Sequence, residues 1–285
     1  MELAQVERGM RRCAEDEATA IGPAIETLIA SAPNSAFLER RLGTLDDPDR
    51  LLVFLHRFLV FNDALAARVP YLAGLIHLTP DLFVAADAPA GFLAQRNAWV
   101  AAFVARAASD EYRMAGGRNR IHQHLSQLFF RAALAFYGRD GAAEFERRHP
   151  VPAAVAALLA EARGMFFLAP TAQDIFAALG FHVGLEFFAS EEFNLVDQCL
   201  RARHPALVAA LRRGGQGRND YSWLSLHTVV EVGHYRAGLA AVQAAIDLYA
   251  DRPAAPRMAE AVLDGLDAFA DLQRRFYATV LGEEP

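Results

Sequence analysis

Apolar positions along this chain recur at intervals of three and four residues, the spacing that places them on one face of an α-helix. The stretch "DDPDRLLVFLHRFLVFNDALAARVP" (46–70) shows the pattern clearly. Asp47 is a fitting N-cap, and Pro48 sits at the first helical position, where its missing N–H costs nothing; the helix is predicted to stop at Pro70. "APTAQDIFAALGFHVGLEFFASEEF" (169–193) opens after Pro170 with Thr171 as cap and Asp174 three residues on, close to a capping box. The same periodicity predicts helices over roughly 3–30, 91–113, 120–137, 152–164, 205–213, 220–249 and 256–280. No segment alternates as a strand would, and no hairpin turn stands between β-branched runs.

The breaks between these helices are short. They fall at Pro80, at Pro89, and in "AGGRN" (115–119), "HPVP" (149–152) and "RRGGQGRND" (212–220). None has the length of a domain linker, and no internal repeat is visible. The expected architecture is all-α: one domain, a bundle of about eight to ten helices, with residues 1–45 as an N-terminal helical extension to the main body at 46–285.

One predicted helix carries chemistry. "WLSLHTVVEVGHYRAGL" (223–239) is apolar on most sides yet holds His227, Glu231 and His234. At about 100° per residue these three fall within about 60° of one another. A buried carboxylate without a partner costs several kcal/mol, a large share of a total stability of about 5–15 kcal/mol. A shared cation would offset that cost; a His–Glu–His hydrogen-bond network is the plainer alternative. Imidazole with carboxylate and no thiolate favours iron, manganese or zinc. Further ligands would come from other helices. Glu186 stands among Leu185, Phe187 and Phe188, with His182 one turn earlier on the same face. Glu111 precedes two histidines, His122 and His124. On an unbroken helix Glu111 and His122 share a side about three turns apart and His124 points elsewhere, but Gly116–Gly117 can interrupt that helix.

Composition narrows the chemistry. Apolar residues make up 54% of the 285 and charged residues 22%, enough for a large core and against disorder. The net charge of −6, with no basic block, disfavours nucleic acid as a partner. Every basic residue is Arg, which excludes a lysine Schiff base and a P-loop lysine. The two cysteines, Cys13 and Cys199, form no CxxC or disulfide pattern. The N-terminus is acidic rather than signal-like, and no uncharged apolar run approaches the roughly 20 residues of a membrane span. A cytoplasmic protein with no membrane partner is expected.

The ordered set Glu111, His122 or His124, Glu186 and His227-x3-Glu231-x2-His234 resembles the haem-oxygenase-like di-iron oxidases and oxygenases. That family shows a Glu and a His on one helix, a later Glu, and a final His-x3-Asp-x2-His helix. The resemblance spans about residues 90–245, and "HLSQLFFRAALAFYG" (124–138) is similar to the family's helix after its own histidine. Glu231 stands where the family has Asp, and the spacing from Glu111 to His122 is longer than usual. The resemblance implies a seven-helix haem-oxygenase-like bundle. It implies two Fe(2+) held by Glu111, His122 or His124, Glu186, His227, Glu231 and His234, with O2 as co-substrate. The substrate would be a small amino acid, amine or fatty acid, and an electron donor would be required. Bundles of this kind often pair, which leaves a homodimer open. Ser225, Tyr112 and Tyr235 are candidates for orienting the imidazoles; Arg236 and Arg113 are candidates for holding a substrate carboxylate.

Other readings keep a helical fold without this site. A haem oxygenase would use His56 as axial ligand, and a thiaminase-like hydrolase would use Cys199 as nucleophile. A ferritin-like bundle needs two Glu-x-x-His motifs, here Glu231–His234 and Glu146–His149. A ligand-binding protein that is no enzyme would rest on the aromatic interior alone.

Overall fold

The computed structural model describes residues 21–83, 90–111, 114–115, 118–119, 121–139, 141–166, 171–214 and 219–282. Among them are twelve α-helices: α1 (Gly22–Ser31), α2 (Asn34–Leu42), α3 (Pro48–Ala66), α4 (Val69–His77), α5 (Ala90–Glu111), α6 (His122–Phe136), α7 (Ala142–Arg148), α8 (Ala153–Gly164), α9 (Ala172–Arg203), α10 (Pro205–Arg213), α11 (Ser222–Leu248) and α12 (Ala255–Leu281). The fold is all-α. The only extended pairing among the described residues joins Met114–Ala115 to Arg118–Asn119, a two-residue ladder between α5 and α6.

Local signals set the helix starts. Asp47 accepts from the Arg50 backbone N–H at 2.9 Å, and Thr171 with Asp174 forms a complete capping box. The helix count exceeds expectation because breaks fall inside predicted segments. Pro70 does not end a helix: the chain breaks after Ala66, and Pro70 lies in the first turn of α4, where the lack of an N–H is harmless. Glu111 and His122 are not on one continuous helix, since α5 ends at Glu111 and α6 begins at His122. The segment 3–30 is described only from residue 21, and α1 begins at Gly22.

Two long helices, α9 and α12, form the spine, and α11 packs along α9 on another side. Glycine brings α9 and α12 together. A Cβ on Gly180 would lie 1.8 Å from the Val262 carbonyl oxygen, and one on Gly265 would lie 1.9 Å from that of Ala177. The two backbones therefore touch where both residues lack a side chain. Gly238 marks a looser approach of α11 to α9, where a Cβ would lie 3.3 Å from a methyl of Val183 and 3.8 Å from the His182 ring. The described part of the N-terminal segment joins the same core through Ile25, Ile29, Leu38 and Leu42. The stretch Pro48–His77 contains an 18-residue window whose mean hydropathy, 1.3, reaches that of a membrane span. It comprises two helices and buries the polar side chains His56, Arg57 and Asn62.

Candidate metal centre

α9, α11, α6 and α3 each send polar side chains into one buried region. Glu186 is on α9; His227, Glu231 and His234 are on α11, two turns of one face as their spacing predicts. Carboxylate oxygens of Glu186 and Glu231 and a ring nitrogen of His234 all lie within 4.8 Å of one another, and all three residues are buried. His234 Nδ1 is 3.2 Å from Glu231 Oε2 and 3.3 Å from Glu186 Oε2. Glu231 Oε1 faces the other way, 3.7 Å from His227 Nε2. One carboxyl group thus stands between two imidazoles of its own helix.

Beyond His227 the polar residues continue onto α6 and α3. His122 Nδ1 is 3.1 Å from His227 Nε2, and His122 Nε2 is 3.3 Å from Asp63 Oδ1. The Trp223 indole N–H donates to His122 Nε2 at 3.2 Å, while His227 Nδ1–H donates to the Trp223 carbonyl at 2.7 Å. Donation to a backbone carbonyl leaves His227 Nε2 with its lone pair facing the cluster, the arrangement that orients metal-ligating histidines. Phe193 stacks on the His227 ring at 4.2 Å and restricts its rotation. Ser126 donates to Asp63 at 3.1 Å and holds that carboxylate beside His122.

Of the expected ligands, Glu186, His227, Glu231, His234 and His122 come together. His124, about 200° further round α6, stays half-buried and outside the group. Glu111 closes α5, and its side chain lies outside the described residues. Asp63 was not anticipated. Its signal was the pair Asn62–Asp63 inside an apolar helix, with nothing to say which neighbour it would meet. The expected orienting residues differ too. Ser225 donates to the Ser222 carbonyl and Tyr235 packs on Phe187. Trp223 takes the orienting role. Tyr112 and Arg113 lie outside the described residues, and Arg236 is exposed.

Electrostatics separate the two carboxyl groups. Burial disfavours the charge on both. For Glu186 the His234 hydrogen bond, with the neighbouring imidazoles, outweighs burial and lowers its pKa to about 2. For Glu231 burial wins over the His234 hydrogen bond, and the negative charge on Glu186 adds to it, so its pKa rises to about 8. Burial also works against the charge on His234, but its bonds to Glu186 and Glu231 prevail and raise its pKa to about 11. At neutral pH the cluster keeps protons on Glu231 and His234, two positive charges that a divalent cation would replace.

A cavity of about 20 Å³ adjoins the cluster, lined by His122, Glu186, His227 and Glu231 and by the apolar Leu185 and Phe193. That is room for an ion or a water. The donor set also fits iron: nitrogen and oxygen only, buried, with 3.2–3.3 Å between neighbouring donor atoms. Donors bound at about 2.0–2.2 Å on a four- to six-coordinate ion stand about 3 Å apart, so little movement would be needed. No protein-family model, no curated protein and no solved structure matches this chain.

Residues of the other readings are placed elsewhere. His56 Nδ1 takes a 2.9 Å bond from Arg57 and its Nε2 faces Glu146 at 3.7 Å, so both nitrogens that could ligate haem iron are directed at other side chains. Cys199 is half-buried, and burial raises its pKa, which keeps it a thiol rather than a nucleophilic thiolate. Glu146 is exposed on α7, and His149, half-buried at the end of α7, packs on Phe145. The second Glu-x-x-His pair thus has the solvated setting of a helix end.

Proposed function

We propose that this chain is a non-haem di-iron oxidase or oxygenase acting with O2 on a small organic substrate, in a haem-oxygenase-like bundle. The observation that carries the reading is Glu231. One of its oxygens belongs with Glu186 and His234, the other faces His227 and, through it, His122. Two adjacent groups of nitrogen and oxygen donors sharing a carboxylate are the arrangement a pair of cations needs. Glu186, Glu231 and His234 would hold one ion, and His122, His227 and Glu231 the other.

Iron bound here would supply the redox chemistry that couples O2 reduction to oxidation of the substrate. The protein's own part is to hold the donors and exclude bulk water. Phe193 and Trp223 wall the His227 side, and the Trp223 carbonyl fixes which nitrogen His227 presents. The cavity is sized for an ion, so a substrate would approach past Leu65, Ala66 and Val69, which line its remaining side. Amino acid, amine and fatty acid remain the expected substrate classes, with an external electron donor.

One observation favours a second reading with a single metal. Trp223, His122 and His227 close a ring of hydrogen bonds among themselves and need no ion to satisfy them. In that case only Glu186, Glu231 and His234 bind, and the histidine pair supports them. Anaerobic ferrous loading followed by metal analysis separates the two. About two irons per chain, with O2 consumed on exposure, supports the di-iron reading; one supports the second; less than a tenth of an iron defeats both.

A further inference from the structure

His182 takes no part in the hydrogen bonds of the cluster. It lies on α9 one turn before Glu186 and is 0% exposed. Both of its ring nitrogens are buried without a hydrogen-bond partner. A buried imidazole of this kind bears the desolvation cost of each polar atom left unsatisfied. Leucine or phenylalanine would fill the same space without that cost, as Leu179, Phe181 and Val183 do on the adjoining positions.

The ring packs close to α11: a Cβ on Gly238 would stand in ordinary contact with His182 Cδ2, at 3.8 Å. His182 Nδ1 is 3.3 Å from Glu186 Oε1, without the alignment of a hydrogen bond. Glu186 Oε2 is 3.3 Å from His234 Nδ1. Glu186 therefore stands between two imidazoles on different helices, one oxygen toward each. The 3.3 Å between His182 Nδ1 and Glu186 Oε1 is that of neighbouring donors on one ion, whereas the group lying within 4.8 Å holds Glu186, Glu231 and His234 without His182, so a shift of the ring or of the carboxylate would accompany binding.

We propose that His182 Nδ1 is a direct ligand of the cation held by Glu186, Glu231 and His234, giving that position two imidazoles and two carboxylates. This rests on the reading of the cluster as a metal site. It differs from the ligand set expected from the sequence, in which Glu186 is the only donor from its helix. With His182 the position closest to α9 becomes a four-ligand site drawn in equal parts from α9 and α11. It would bind first and most tightly, before the position at His122 and His227.

The test uses Co(II), added to the metal-stripped full-length protein. Binding is followed by absorption, and ligand imidazoles are counted by their paramagnetically shifted proton resonances. Wild type should bind Co(II), and His182→Ala should lose one imidazole set from the first-filled position and weaken binding about a hundredfold or more. His182→Asn keeps a polar group in the space; it serves as the readout if circular dichroism shows His182→Ala to be unfolded, and the same loss is expected of it. Wild type that takes up no Co(II) overturns the metal reading and this inference with it. Wild type that binds while the variant keeps the same affinity overturns the inference alone. So does a weakened variant whose imidazole count is unchanged, since His182 would then act only through Glu186.

Discussion

Of the buried carboxyl groups on helix α9, Glu186 and Glu192, six residues apart, have opposite surroundings. Glu192 is closed: the hydroxyl of Tyr277 and the amide of Gln273, at 2.7 Å, both donate to its Oε2. Gln273 Oε1 in turn accepts from Asn34, whose amide also reaches the Ala270 carbonyl, each at 2.8 Å. Burial dominates and raises the pKa of Glu192 to about 7, its hydrogen bonds only partly resisting. This is a neutral acid tying α2, α9 and α12 together. Glu186 is open: it is ionised, it faces a second carboxyl group, and beside it lies an imidazole with no hydrogen bond at all. Burial of an acid does not mark a site, since both are buried. What marks one is a polar cluster that its own members cannot complete.

That contrast can be broken at its common support. Gly180→Ala would force a methyl group into the Val262 carbonyl, where the backbones of α9 and α12 touch, and neither cluster would keep its geometry. A loss of about 4 kcal/mol or more is expected, seen as a fall in Tm of at least 10 °C or as insoluble expression. A variant with unchanged Tm would show that the helices do not cross at that point.

The next effect concerns pH. Glu192 keeps its proton in the fold up to about pH 7, whereas the unfolded chain releases it near pH 4.5. Between those values the native state binds more protons, so stability falls as pH rises. Glu192→Gln removes this dependence. Wild type should therefore lose about 3 kcal/mol relative to the variant between pH 4.5 and 7, measured by urea denaturation at each pH. Parallel curves for the two proteins would mean that Glu192 is ionised in the fold.

The sharpest contrast in kind is the smallest in folding energy. Glu231→Gln replaces an acid that is protonated at neutral pH by a neutral side chain of the same shape, so metal-free stability should change by less than about 1 kcal/mol. Metal affinity should drop about a hundredfold or more, because an amide is a poor ligand beside a carboxylate. Glu192→Gln should leave metal affinity unaltered. Titration of both variants with Co(II) checks the pair, and equal losses in the two would erase the distinction between the open and closed clusters.

Much of this was legible in the chain itself. Caps at Asp47 and Thr171, and the three- and four-residue spacing of apolar positions, specified most helices to within a few residues. Short helices such as α2, α4 and α7 were not resolved, because each is only two or three turns long and its periodicity merges with that of its neighbours. In the site, His227, Glu231 and His234 were readable as a group because one helix carries all three and its pitch alone sets their directions. The closed cluster could not be read at all. Asn34, Glu192, Gln273 and Tyr277 come from three helices up to 243 positions apart, and each alone passes for a surface residue.

By itself, then, the sequence determined an all-α chain and a helix with two imidazoles and a carboxyl group on one face. Both follow from local geometry, in which a residue's direction depends only on its place in the turn. Tertiary packing decided the rest: that His122 and not His124 reaches His227, that Asp63 stands behind it, and that His182 is left without a partner. Those facts depend on how closely helices approach and at what rotation. Here the approach is governed by the missing side chains of Gly180 and Gly265, which acquire their meaning only when another helix lies against them.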